Sequence, residues 1–174
     1  MATQGIDFAK LSLVDALDLA ILIEEEARER YEDFADQMDQ HRTPVAARFF
    51  RHMAGNEAKH GQELAERRAQ LFPDAARKVT RAMLFDVEAP DFDAARAFMS
   101  VRKAMEAAVA SEVKARQFFE AALGSIQDAG VRALFQELRG DEVLHQELVQ
   151  AEMAKLPPDS GLDDNDFVDE PTAQ

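Results

Sequence analysis

Apolar residues recur along most of the chain at alternating steps of four and three, the spacing that places them on one face of an α-helix. This pattern predicts four helices, at about 11–39, 45–71, 93–127 and 130–156. The first and third connections are short, so we expect two antiparallel helical hairpins. The middle segment, 72–92, contains two prolines around a predicted short helix at 75–85. At about 3.3 Å per extended residue it is long enough to run the length of a bundle. The chain is therefore predicted to be an all-α four-helix bundle with a long crossover between helices 2 and 3.

Six ionisable residues interrupt the apolar rows, each near the middle of its predicted helix. They share a position on the core-facing stripe, and they are Glu24, Glu57, His60, Glu112, Glu142 and His145. Burying one unpaired carboxylate is costly, and four buried carboxylates close together would also repel one another. Bound metal ions are the simplest compensation for both costs.

The heights of these residues in the two hairpins agree with each other. In an antiparallel hairpin, residues equidistant from the turn lie at the same level. The midpoint between the lone Glu and the Glu-x-x-His pair lies near position 41 in the first hairpin and near position 128 in the second, inside the two short connections. The lone Glu and the Glu-x-x-His pair of each hairpin are therefore predicted to face one another.

The two Glu-x-x-His pairs also belong to an internal repeat. Residues 55–60 read Gly-Asn-Glu-x-x-His and residues 140–145 read Gly-Asp-Glu-x-x-His, so we expect two hairpins related by a pseudo-twofold axis. A Glu and a His three residues apart share a helix face and can reach one metal ion. Four carboxylates would balance two divalent ions. Oxygen and imidazole ligands without thiolate suit iron or manganese and are compatible with zinc.

The composition and the net charge of the chain argue against several classes of binding partner and of chemistry. The formal net charge is -14, which disfavours binding to nucleic acid and to anionic membrane surfaces. The chain has no cysteine, which excludes disulfides, thiolate zinc sites and a Cys nucleophile within these 174 residues. The N-terminal residues lack the pattern of a signal peptide, and no apolar run is long enough to span a bilayer. We therefore expect a cytoplasmic protein without a membrane partner. Residues 157–174 form an acidic segment that is expected to be a disordered tail.

The chain resembles the rubrerythrin family of ferritin-like diiron proteins over about residues 11–156. The residues that carry the resemblance are Glu24-Glu25-Glu26-Ala27 with Tyr31, Asn56-Glu57-Ala58-Lys59-His60, Glu112 with Ala115, and Asp141-Glu142-Val143-Leu144-His145. It implies a ferritin-like diiron domain over residues 1–156, with the crossover at 72–92. It further implies two iron ions bridged by Glu57 and Glu142.

The same resemblance implies the remaining ligands and a chemistry. Glu24 with His60, and Glu112 with His145, would be terminal ligands. The diferrous centre would be oxidised by peroxide or dioxygen, with water as product, and then reduced again by a donor. The fullest members of the family append a rubredoxin domain held by four Cys, so here the electron donor would be a separate molecule. Those members also have an extra Glu one turn after the terminal ligand of the third helix; this chain has Ala115 there, which implies a simpler six-ligand site.

Three functions follow as hypotheses. The leading one is a diiron oxidoreductase that reduces peroxide or dioxygen. The alternatives are a ferroxidase that handles iron and a non-catalytic metal-binding or interaction protein. Tyr31, the only tyrosine, is expected to donate a hydrogen bond either to a metal ligand or elsewhere in the core. Apolar residues off the core stripe, such as Leu22 and Ile23, predict a homodimer.

Overall fold

The computed structural model describes residues 6–84, 87–91, 94 and 99–157, and four long helices account for most of them. The helices are α1 (Leu13–Gln40), α2 (Pro44–Leu71), α3 (Val101–Leu123) and α4 (Ala129–Met153). Short 3₁₀ turns lie at Phe8–Lys10 and Arg81–Met83. No helix in this part of the chain is both long and apolar enough to cross a membrane. The predicted four-helix architecture is confirmed.

The first turns of the helices follow from capping residues in the sequence. The side chains of Ser12, Ser100 and Asp128 accept hydrogen bonds from backbone N–H groups in the first turns of α1, α3 and α4. Helix α2 instead begins at Pro44, where the missing N–H costs nothing. The predicted start of the third helix near position 93 is wrong, because the Ser100 cap places that start at Val101.

Two apolar clusters lie at opposite ends of the bundle and reveal its topology. The first cluster joins the start of α1 and the end of α2 to the α3–α4 connection, through residues that include Leu17, Leu64, Phe119 and Val131. The second joins the α1–α2 connection to the start of α3 and the end of α4, through residues that include Met38, Phe50, Met105 and Val149. Helix α2 therefore ends at one end of the bundle, and α3 begins at the other. The long crossover between them is confirmed.

The crossover is attached to the bundle by a buried ion pair at its beginning. Arg68 donates from Nε to Asp18 over 2.7 Å, and it also donates to the backbone carbonyls of Phe72 and Ala75. Asp18 is buried, so its charge needs this partner. Of the short helix predicted at 75–85, the described residues contain only the turn at Arg81–Met83. The ordered beginning of the crossover therefore depends on this ion pair more than on helix formation.

Two further expectations concern the surface and the C-terminus. Leu22 and Ile23, which motivated the predicted homodimer, pack within the chain as part of the first apolar cluster. The homodimer remains a prediction, without support from these two residues. The predicted acidic tail lies outside the described residues from position 158 onward.

Candidate metal centre

A layer of buried carboxylates separates the two apolar clusters. Glu24, Glu57, Glu112 and Glu142 are 5%, 1%, 0% and 3% exposed, and each of the four helices contributes one of them. The positions follow from the sequence, because each Glu continues the stripe of apolar residues that faces the core. The helices therefore deliver four carboxyl groups to a single level of the bundle interior.

The six predicted residues form two groups of three, one in each hairpin. Glu24, Glu57 and His60 offer donor atoms that all lie within 4.8 Å of one another, and so do Glu112, Glu142 and His145. We call these groups the first and second triads. In the first triad, Nδ1 of His60 lies 3.8 Å from Glu24 Oε2 and 3.4 Å from Glu57 Oε2. In the second triad, Nδ1 of His145 lies 3.5 Å from Glu112 Oε2 and 3.9 Å from Glu142 Oε2.

The two longest of these separations exceed a hydrogen bond, and all four suit donor atoms that share a metal ion. With bonds of about 2.0–2.2 Å, two donors on one ion lie roughly 3–4 Å apart. The two imidazole rings, one from each triad, stack with centroids 4.7 Å apart and an interplanar angle of 5°. The His60 and His145 side chains remain 27% and 20% exposed, so they close the outer side of the carboxylate layer.

The carboxylate layer lacks partners among the residues that the structure describes. Both carboxylate oxygens of Glu57 and of Glu112 are buried without a hydrogen-bond partner, as is one oxygen each of Glu24 and Glu142. Burial raises the pKa of Glu24 and of Glu142 well above the usual range, and the neighbouring carboxylates add to the rise. Buried acceptors without donors are rare and costly, so this donor set fits cations held between the triads.

A fifth carboxyl group beside these four, that of Glu88, was not predicted from the sequence. It lies in the crossover, is 2% exposed, and offers a donor atom within 4.8 Å of donors on Glu57 and Glu112. Burial and then the charges of the other carboxylates raise its pKa well above the usual range. The described residues next to Glu88, 87–91, are not helical and define no face, so the periodicity that identified the other residues could not reveal it. Ala115, where the resemblance implied an extra Glu in other members, is buried and offers no donor.

Tyr31 lies beside the carboxylate layer with its hydroxyl fully buried. Its ring stacks on Phe50 at 6.1 Å, and its hydroxyl has no hydrogen-bond partner among the described residues. Burial raises its pKa well above 10.0, and the charges of Glu112 and Glu57 raise it further against the opposing effect of the Ser111 hydroxyl, so the phenol stays protonated at neutral pH. The hydroxyl therefore lies close enough to Glu112 and Glu57 for their charges to act on it, and its role remains a prediction.

The part of the chain that carries the carboxylate and histidine pattern also matches a known protein family. The sequence profile of the rubrerythrin family matches residues 15–156. The chain belongs to the rubrerythrin family. The matched range contains all four helices except the first two residues of α1, together with both triads. This rubrerythrin-family chain therefore carries candidate carboxylate–histidine metal sites at the level of the bundle where its two hairpins meet.

Solved structures support the ferritin-like fold of this rubrerythrin-family chain. An uncharacterised conserved protein from Magnetospirillum magnetotacticum is 26% identical, with a TM-score of 0.64 over 84% of this chain and 97% of that one. A PmFTN variant soaked in iron is 14% identical, with a TM-score of 0.58 over 82% and 87% of the two chains. A hypothetical protein from Pyrococcus furiosus is 22% identical, with a TM-score of 0.51 over 86% and 95%. No curated protein matches the chain.

Gly61 allows α1 and α2 to approach closely at the first triad. A Cβ atom added to Gly61 would lie 3.3 Å from Cβ of Glu24, closer than most such contacts. We expect Gly61→Ala to displace Glu24 and to lower the affinity for the first metal about tenfold, whereas the metal-free protein unfolds within about 1 kcal/mol of wild type. Anaerobic metal titration and thermal unfolding measure the two effects.

Gly55 provides the matched control on the same helix. A Cβ atom there meets nothing within 4 Å. Gly55→Ala should therefore raise the free energy of unfolding by about 0.5–1 kcal/mol through helix propensity alone and leave metal affinity unchanged. If Gly61→Ala bound metal as tightly as Gly55→Ala, the close approach at Gly61 would not position Glu24.

Proposed function

We propose that the two triads hold a dinuclear iron centre and that the protein reduces peroxide or dioxygen at it. The observation that carries this proposal is the pair of equivalent triads, each with two buried carboxylates and one imidazole around a common point. Carboxylate and imidazole donors without thiolate suit iron, and manganese or zinc would fit the same donors. Carboxylates that lie between the triads would be shared by both ions. Glu57 supports that role, because its donor lies within 4.8 Å of one on Glu112 in the second triad.

The surroundings of the triads would set how reactants reach the centre. When bound, two ferrous ions would supply the two electrons that convert one peroxide and two protons into two waters. An apolar groove of about 330 Å³ leads from the surface to Glu57 and His145. Its apolar walls come from Phe49, Met53, Met105, Leu148 and Val149. A small neutral oxidant can enter such a groove without the desolvation cost that an ion would meet.

Tyr31 would serve this reaction as a proton donor or a hydrogen-bond donor to a ligand. Its hydroxyl keeps its proton at neutral pH, and the charges of Glu112 and Glu57 contribute to its raised pKa. We expect Tyr31→Phe to bind metal with wild-type stoichiometry and to slow ferrous oxidation by roughly hundredfold, the usual effect of losing a positioned proton donor. Stopped-flow absorbance measures the rate. A wild-type rate in this variant would assign Tyr31 to core packing against Phe50.

The decisive test of the proposed activity uses anaerobically loaded ferrous protein. Rapid mixing with hydrogen peroxide should oxidise two ferrous ions per peroxide consumed, faster than free ferrous iron at the same concentration. With an added reductant, peroxide consumption should continue through many turnovers, and mixing with dioxygen shows which oxidant is preferred. Oxidation no faster than that of free iron, with either oxidant, would contradict the proposal.

A second candidate function, ferroxidase-type iron handling, is favoured by a separate opening. A cavity of about 130 Å³ reaches Glu24, His60 and His145, and its border includes the acidic residues Glu63, Glu137 and Asp141 together with Arg67. Such a rim attracts cations toward the triads. This function predicts that aerobic addition of ferrous iron loads far more than two irons per chain into a large hollow assembly. Iron that elutes at two per chain with a small protein would favour the oxidant-reducing function.

A further inference from the structure

Glu88 lies between the two triads. Its side chain is 2% exposed, and its Oε2 has no hydrogen-bond partner among the described residues. Its donor atom lies within 4.8 Å of donors on Glu57, from the first triad, and Glu112, from the second. A buried carboxyl group so close to two others is in an unfavourable position unless a cation is shared among them.

Two basic residues, one on α1 and one on α3, hold the crossover backbone against the bundle. Arg30, on α1, donates to the carbonyl of Pro90, and Lys114, on α3, donates to the carbonyl of Ala89 over 2.6 Å. Residues 87–90 are all buried. Because these bonds are made to the backbone immediately after Glu88, they hold the segment against the bundle with that side chain directed inward. The carboxylate is thus held in a defined position, which a ligand requires.

We propose that Glu88 is a seventh ligand, added to the metal pair by the crossover. This inference rests on the proposed dinuclear centre. Because Glu88 approaches one carboxylate of each triad, it would bind where the two metal positions meet. With Glu88 the centre would contain five carboxylates. Their total negative charge would exceed by one the positive charge of two divalent ions, so the site would favour metal ions of higher charge. The crossover would thus take part in binding the metals, in addition to connecting α2 to α3.

The test is the variant Glu88→Gln, which keeps the shape and removes the charge. Anaerobic titration of the full-length chain with Fe(II) should show at least about tenfold weaker binding of one or both ions than in wild type, as expected for lost ligation. The Mössbauer quadrupole splitting of the ⁵⁷Fe(II)-loaded variant should also change. The metal-free variant should melt at the wild-type temperature or above it, because a buried carboxyl group has been removed from its neighbours. A residue needed only for packing would leave the metal affinity and the Mössbauer spectrum unchanged, because Gln fills the same space.

Two further variants complete the test. Glu88→Asp keeps the charge but withdraws the carboxylate, and it should also weaken metal binding. Glu25→Gln removes one charge next to Glu24 from a residue outside both triads, and it should leave the affinity unchanged. Wild-type affinity and an unchanged Mössbauer spectrum for Glu88→Gln would overturn the seventh ligand and leave the proposed activity standing. Two ions bound by wild type without turnover would contradict the activity alone. Failure of wild type to bind metal would overturn both.

Discussion

Glu57→Ala and Glu142→Ala are each expected to lose most dinuclear metal binding. Each variant removes a carboxylate that is almost completely buried in one triad, and the resemblance to the rubrerythrin family implies that it bridges both ions. Loss of a shared ligand weakens both metal positions together. Elemental analysis after anaerobic loading and desalting should therefore give well below one metal ion per chain, compared with two for wild type.

Matched substitutions separate ligation from general loss of charge. Glu66→Ala and Glu147→Ala each remove an exposed carboxylate, six residues after His60 and two after His145. Both should retain two ions per chain. If Glu57→Ala or Glu142→Ala also retained two ions, the bridging assignment would be wrong, although terminal roles for the same residues would survive.

Removing the metal should lower the thermal stability of the wild-type protein substantially. Ions that bind only the folded chain stabilise it by about 2.7 kcal/mol per site at a free concentration one hundred times the dissociation constant. In the metal-free protein the same carboxyl groups remain buried without partners and repel one another. Differential scanning calorimetry of metal-free and reloaded protein measures the difference. Equal melting temperatures would count strongly against a metal centre.

The stability difference should also depend on pH in a defined direction. The pKa values of Glu24, Glu88 and Glu142 are raised in the folded metal-free chain, so the folded state binds more protons than the unfolded state above about pH 4.3. Their contribution to folding is therefore fully present below that pH and is lost as the pH rises through the folded pKa values. Metal binding needs the deprotonated ligands and gains affinity as the pH rises.

Between about pH 5 and pH 7.5, the gap in melting temperature between loaded and metal-free protein should consequently widen. Comparing the two forms at each pH cancels the titration of groups far from the centre, such as Glu29, whose pKa is lowered by its ion pair with Arg81. A gap that narrowed with rising pH would contradict the ionised carboxylates as ligands.

The helices and both triads could be predicted because they depend on a repeating pattern. A residue in a long helix belongs to a face that its neighbours define, so Glu24 and Glu112 were recognisable as polar residues on core stripes. Antiparallel pairing then fixed their height relative to His60 and His145. The structure brings each of these groups together within 4.8 Å, as the spacing predicted. The ligand roles themselves remain predictions.

The features that sequence reasoning missed lie where no pattern exists. The direction of Glu88 depends on tertiary bonds from Arg30 and Lys114 to the crossover backbone, and these partners are distant in sequence. The start of α3 depends on a single capping serine, Ser100, inside a stretch whose composition favours helix throughout. The role of Gly61 depends on how closely two helices approach, which spacing along one helix does not reveal.

The most direct test of the central claim is the metal content of the protein at the two triads. Freshly purified protein, reduced anaerobically, loaded with Fe(II) and desalted, should contain two iron ions per chain by elemental analysis. The double variant His60→Ala and His145→Ala should contain far fewer under the same conditions, because each triad loses its imidazole. Wild-type protein that retains no iron, or a double variant that still retains two ions per chain, would contradict the dinuclear centre.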